Sequence, residues 1–285
     1  MQVFQTLSRT PTRELLELAP LVERLGFDGI ALSDHLVRPR VVDSRYPYSA
    51  DGRMEAGPAT PYPDVWVTVA ALAQATRRVR FLSSVYVLPL RDPFTVAKAL
   101  STAAVLSDER VILGVGVGWM AEEFALTGQR HAGRGRRADE MLVVIDKLFA
   151  GEMVEHQGEH YAFPPVQMQP VPSRRPPFWI GGESPAAVRR AVAHDGWIGV
   201  HYALEEALER TRAVVRLRRA SDRAGEPFDV ALALRAAPDR DARRRLEDAG
   251  VSVLLHPAPW PADAGGWSAA DRRGALERAA ERLLA

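Results

Sequence analysis

The chain has 285 residues, 47% hydrophobic and 26% charged, with 37 basic against 36 acidic side chains. This is ordinary globular composition, long enough for one α/β barrel domain, and the near-neutral balance gives no basis for a nucleic-acid or membrane partner. Cysteine is absent, which excludes disulfides, thiolate nucleophiles and cysteine-ligated metals. No apolar run approaches the roughly 20 residues a bilayer span requires, and the first residues lack the basic and apolar regions of a secretion signal. The expectation is a soluble, cytoplasmic protein.

In chain order, residues 2–6 read as a short strand and 12–25 as a helix that Pro20 must break or kink, with Gly26 as its C-cap. Residues 28–33 (DGIALS) have a buried-strand pattern and lead into Asp34-His35. Residues 38–63 are rich in Pro, Gly, Tyr and Asp, with no sustained period; a loop this long inside a compact domain is usually functional. A helix over 64–75 follows with Asp64 as N-cap, then a strand over 79–87, and a helix to Leu106 opened by Asp92-Pro93. Residues 111–115 form a strand and 138–149 an amphipathic helix. Residues 151–177 are a second irregular excursion, with a hairpin pattern at EHQGEHYAF. Strand 178–180, helix 185–194, strand 196–200, helix 204–224, strand 228–234, helix 239–249, strand 251–256 and helix 269–284 complete the chain.

Strand and helix alternate about eight times, which implies a parallel sheet with crossover helices. Over this length the pattern favours a closed (β/α)8 TIM-like barrel in one domain, with 38–63 and 151–177 as loop insertions. In such a barrel the chemistry sits where strands end and βα loops begin.

Several signals fall at those ends. Asp34-His35 closes the second strand; a histidine there serves as acid or base near neutral pH, and a carboxylate can tune it. Ser83-Ser84-Val85 interrupts the third strand with two small polar residues, as a bulge or a ligand's close approach would. Gly114, Gly116 and Gly118 form a ladder at the end of the strand over 111–115, a pattern that permits close approach of a flat or anionic ligand. The run Gly116-Val-Gly118-Trp-Met-Ala121 matches the dinucleotide fingerprint formally, but the stretch about 20 residues on, HAGRGRRADE, has no strand character, so that reading is set aside. Gly181-Gly182-Glu-Ser184-Pro185 leaves a strand and opens a helix, a ready anion site suited to phosphate. Glu122-Glu123 can place one carboxylate in the site and the other in solvent. His156 and His160 have i, i+4 spacing, but Gly158 lies between them and no helix pattern surrounds them, so no metal site is expected.

The segments GFDGIALSDHL, RVRFLSSVYVLPLRDPFTVAK, LSDERVILGVGVGWMAEEF, RGRRADE and PPFWIGGESPAAVRRA, in that order, resemble the luciferase-like flavin and deazaflavin oxidoreductases, nearest the group of probable coenzyme F420-dependent oxidoreductases. The resemblance implies a TIM-like barrel, commonly a homodimer, holding F420, or alternatively FMN, at the carboxyl end. It implies that Asp34 and His35 lie near the reactive ring, with His35 transferring a proton and Asp34 orienting it or touching the cofactor. It further implies a non-prolyl cis peptide at Ser84-Val85 against the ring, Gly116, Val117, Gly118 and Trp119 beside the ring and its side chain, and Gly181, Gly182 and Ser184 at the phosphate. Val117 and Trp119 stand where some deazaflavin members have a hydroxyl and a carboxylate, which leaves the choice of cofactor open. The expected reaction is hydride transfer between F420 and a small organic substrate. The alternative is an FMN-dependent monooxygenase. Both irregular segments are expected to shape the substrate pocket.

Overall fold

The computed structural model describes residues 1–261 and 266–284. Its elements, in order, are β1 (Gln2–Thr6), α1 (Leu15–Arg24), β2 (Gly29–Leu32), α2 (Val65–Ala75), β3 (Arg80–Ser83), β4 (Tyr86–Val87) and α3 (Pro93–Leu106). Then come β5 (Val111–Gly116), α4 (Ala121–Leu126), α5 (Arg134–Leu148), β6 (Val154–Gln157), β7 (Ala162–Val166), β8 (Phe178–Gly181) and α6 (Pro185–Val192). The chain ends with β9 (Gly196–Tyr202), α7 (Leu204–Arg219), β10 (Asp229–Leu234), α8 (Arg240–Ala249), β11 (Val253–His256) and α9 (Ala269–Leu284).

The parallel strands run β3-β2-β1-β11-β10-β9-β8-β5, and a β3–β5 pairing closes the ring, with β4 continuing β3 alongside β5. Counting β3 and β4 as one interrupted strand, this is an eight-stranded (β/α)8 barrel, as the alternation predicts. Strand alternation sorts the core into two shells. Phe4, Ala31, Leu82, Ile112, Trp179, Ile198, Ala231 and Leu255 fill the barrel interior, while the larger cluster packs the outer faces of the strands against the helices.

The helix starts follow the capping chemistry. Asp64 accepts from the Trp66 and Val67 amides, Asp92 from Thr95, Ser184 from Ala187 and Asp239 from Ala242. Three expectations are corrected. The helix α1 is not broken at Pro20; the Leu16 carbonyl that loses its partner belongs to a residue 50% exposed, where solvent can replace the missing N–H. Helix α5 starts four residues early, at Arg134, behind a left-handed Gly133. Arginines are poor first-turn residues against the helix dipole, and here they bond to carbonyls instead: Arg134 Nε to Gly118, and Arg137 to Arg130 and Pro89, each at 2.9 Å. Residues 151–177 do not reach the barrel mouth through any contact observed among them. The β6–β7 hairpin lies on the outer wall, where Phe163 meets Phe94 of α3 and Glu140 of α5 accepts from His156 and from the amides of His160 and Tyr161.

Candidate active site

All barrel strands point the same way, so the ends of β2, β4, β5, β8 and β9 share one mouth. Its floor is apolar: Val85, Val200 and Ala233, each half-buried, cap the interior core.

The glycine ladder serves that floor. A Cβ on Gly116 would come within 2.4 Å of Val85, and one on Gly181 within 2.7 Å of the same side chain. A Cβ on Gly114 would meet the Ser83 carbonyl at 2.0 Å. These glycines make room for the chain's own bulge, where four steps from Leu82 to Tyr86 pass three from Ile112 to Val115 and the Ser84–Val85 peptide is cis. The absence of side chains at these positions thus serves the packing of the bulge beneath the mouth. Gly118 is left-handed, at φ 77°, against Val87 and Phe124.

Asp34 and His35 separate to opposite sides of the barrel wall, as successive residues leaving a strand do. Asp34 faces outward and is buried. Its carboxylate takes both arms of Arg91 at 2.8 Å and the Val87 amide at 2.9 Å. It therefore ties β2 to the segment after the bulge, and the expectation that it orients His35 is corrected.

The ring of His35 is held by Glu123 of α4. Its Nδ1 lies 3.0 Å from Oε2, while the other oxygen, Oε1, accepts from the amides of Leu36 at 2.6 Å and Val37 at 3.3 Å. Glu123 is buried, so one of the two adjacent glutamates does enter the site. The other does not simply point to solvent. Glu122 accepts from the amides of Asp43 and Ser44 at 2.7 and 2.9 Å, and Ser44 Oγ accepts from the Ala121 amide. Burial pushes the Glu122 carboxyl up, but the N–H groups of its own helix start and of this loop outweigh that and bring it down to about 2.

Residues 38–63 thus form a strap across the mouth, carrying aromatic rings. Tyr62 stands edge-on to His35 at 4.9 Å between centroids, Trp119 at 6.3 Å. Tyr46 packs on Trp119 at 5.2 Å, and Tyr48 links Tyr46 to His201. Burial pushes the Tyr48 and Tyr62 phenols up to about 12, so both remain hydrogen-bond donors at neutral pH.

Sequence reasoning missed His201. It is the extra residue of a bulge, with three steps along β9 from Gly199 to Tyr202 opposite two along β10. Its φ is 64°, and its carbonyl accepts from Arg235 Nε at 2.6 Å. This left-handed step turns Tyr202 outward onto Trp197, breaking the alternation. No local signal marks a histidine for such a place; glycine is the expected residue.

At β8, Gly182 is left-handed at φ 115°, its carbonyl accepts from Trp197 Nε1 at 2.9 Å, and Ser184 Oγ caps α6. Arg190, farther along α6, pairs with Asp139 of α5. Val117 packs half-buried at the edge of the outer core. His156 sits on a strand against Glu140, and no group of three or more potential metal ligands occurs among the described residues.

A closed parallel barrel with histidines, carboxylates and a capped helix start gathered at its carboxyl end is the architecture of a (β/α)8 enzyme. The chain belongs to the luciferase-like monooxygenase family, whose model matches residues 2–284. An uncharacterised protein of Mycobacterium tuberculosis is 35% identical over 242 residues, covering 84% of this chain and 83% of its own. An F420-dependent glucose-6-phosphate dehydrogenase of Microbacterium testaceum is 33% identical over 181 residues, 62% of this chain and 49% of that protein. Among solved structures, the monooxygenase RslO1 of Streptomyces bottropensis superposes with TM-score 0.75 at 20% identity, covering 100% and 99% of the two chains. An F420-dependent secondary alcohol dehydrogenase superposes with TM-score 0.73 at 16% identity, covering 99% and 98%. These two likenesses establish the fold. No helix among the described residues is long and apolar enough to cross a membrane.

The site suits the flavin or deazaflavin of such relatives. The floor of Val85, Val200 and Ala233 offers an apolar surface to a flat ring, and the turn from Gly182 to Ser184 leads into a helix N-terminus that favours an anionic tail.

Proposed function

We propose that the chain is an oxidoreductase that moves a hydride between coenzyme F420 and a small organic substrate, with His35 carrying the accompanying proton. The observation that carries this reading is the His35–Glu123 pair at the mouth. Its support in sequence is the kinship with F420-dependent dehydrogenases. Val85, Gly116, Val117, Gly118 and Trp119 would hold the ring, and Gly181, Gly182 and Ser184 the phosphate end. When bound, a deazaflavin supplies a carbon centre that accepts or gives hydride.

The protein's part is to place the substrate and to manage the proton. An ionised carboxylate has no proton to give, so opposite Glu123 Oε2 it is the His35 Nδ1 that donates. That leaves Nε2 to exchange a proton with the substrate. The rings of Tyr62 and Trp119 flank the imidazole and limit water beside it. Asp34 holds the wall behind, through Arg91.

General acid–base groups contribute about 10²–10⁴ in rate. His35→Ala is expected to lower the rate of F420-linked turnover by about that factor while F420 affinity, read by fluorescence titration, stays within about threefold. Unchanged turnover would sink the role given to His35. Val117 and Trp119, which depart from some deazaflavin relatives, favour a second reading as an FMN-dependent monooxygenase. Titrating the apoprotein with each cofactor separates the two, since binding of FMN alone, with oxygen uptake, selects the monooxygenase.

A further inference from the structure

The helix α4 carries two adjacent glutamates that grip the strap and the residues leading into it. Glu123 holds the amides of Leu36 and Val37 where the strap leaves β2, and Glu122 holds those of Asp43 and Ser44 farther along. Only Glu123 also touches the imidazole of His35, across 88 residues of sequence. The second contact along the helix, from the Ala121 amide to Ser44 Oγ at 3.0 Å, keeps α4 and the strap in register.

We propose that Glu123 is the positioning residue of the site: through one buried carboxylate it fixes the tautomer and direction of the His35 ring and pins the start of the aromatic strap beside it. This deepens, and rests on, the reading of His35 as the proton carrier. The chemistry is constrained by the donor inventory. An ionised carboxylate can only accept, so a neutral His35 bonded to it must carry its proton on Nδ1. A carboxamide in the same place faces the ring with a donor while its oxygen still serves the Leu36 and Val37 amides. The isosteric change Glu123→Gln therefore reverses the tautomer without removing the strap's anchor. Through the same carboxylate, the ring and the strap's first residues move together. Glu122, with no bond to the ring, affects the strap alone.

The test uses the apoprotein and needs neither cofactor nor substrate. Isotope-labelled histidine NMR, with the His35 signal assigned by its loss in His35→Ala, reads which ring nitrogen is protonated above the titration range. In the wild type the expected form has the proton on Nδ1. In Glu123→Gln it is expected on Nε2, with amide exchange of Leu36 and Val37 slowed as in the wild type. Glu122→Ala is expected to keep the Nδ1 form while amide exchange at Asp43 and Ser44, which share one Glu122 oxygen, speeds up at least tenfold. Protonation on Nε2 in the wild type overturns the proposal even if Glu123→Gln does not fold. So does an unchanged tautomer in Glu123→Gln, or the same reversal in Glu122→Ala. The rate of His35→Ala measures separately whether the ring carries the proton, so failure of that reading leaves this result intact.

Discussion

The two irregular segments of the chain look alike in composition and do different work. Residues 38–63 lie across the mouth and bring Tyr46, Tyr48 and Tyr62 to Trp119, His201 and His35. They have no strand or helix, and they are attached to the barrel by the Asp43 and Ser44 amides on Glu122 and, just ahead of them, by the Leu36 and Val37 amides on Glu123. Residues 151–177 build a hairpin that lies along the outside of α3 and α5, with Phe163, Tyr161 and Val166 against the outer core. The strap is held by a few polar anchors and presents rings to a ligand. The hairpin is held on the outer wall by half-buried apolar contacts and by its bonds to Glu140, and presents little to the mouth. Length and Pro/Gly content therefore do not separate a loop that shapes a site from one that thickens a wall; where the aromatic side chains are spent does.

That contrast has measurable edges. The largest effect is expected at Asp34, which precedes the strap in sequence yet belongs energetically to the wall. Asp34→Ala leaves Arg91 buried without its carboxylate and should cost about 3–5 kcal/mol, read as a fall in the urea midpoint. A loss below about 1 kcal/mol would mean that the ion pair does not hold β2 to the bulge. Next, Phe163→Ala on the hairpin should cost about 2 kcal/mol, less than a fully buried Phe, and leave steady-state turnover within about twofold. A drop in turnover out of proportion to stability would return the hairpin to the site. The smallest effect has the opposite sign. His201→Gly relieves a left-handed non-glycine residue worth about 1–2 kcal/mol, offset in part by glycine's freedom when unfolded, for a net gain of up to about 1 kcal/mol in thermal unfolding. A destabilised variant would show that the imidazole's contact with Tyr48 outweighs the backbone strain.

Much of the barrel was legible in local pattern. Apolar runs ended by polar pairs located the strands, and Asp64, Asp92, Ser184 and Asp239 marked their helices because capping is settled within four residues. Where sequence reading went astray, the deciding partner lay far away. The pairing of His35 with Glu123 spans 88 residues and that of Asp34 with Arg91 spans 57, so adjacency in sequence does not name the partner in space. The early start of α5 was hidden because its arginines answer to distant carbonyls. The short α4 left too little periodicity to notice, although its two glutamates were visible. His201 carries no signal at all, since its conformation follows from a register shift between two strands.

Val85 occupies the space that side chains at both Gly116 and Gly181 would need. One position on the third barrel strand thus dictates the alphabet on two others, and the three cannot drift separately. Alanine at 116 or 181 becomes admissible only after 85 has shrunk, so mutational paths through this part of the mouth have an obligatory order. A library that varied residue 116 or 181 alone against Val85 would find each fixed; one that varied the trio together would find them open to redesign.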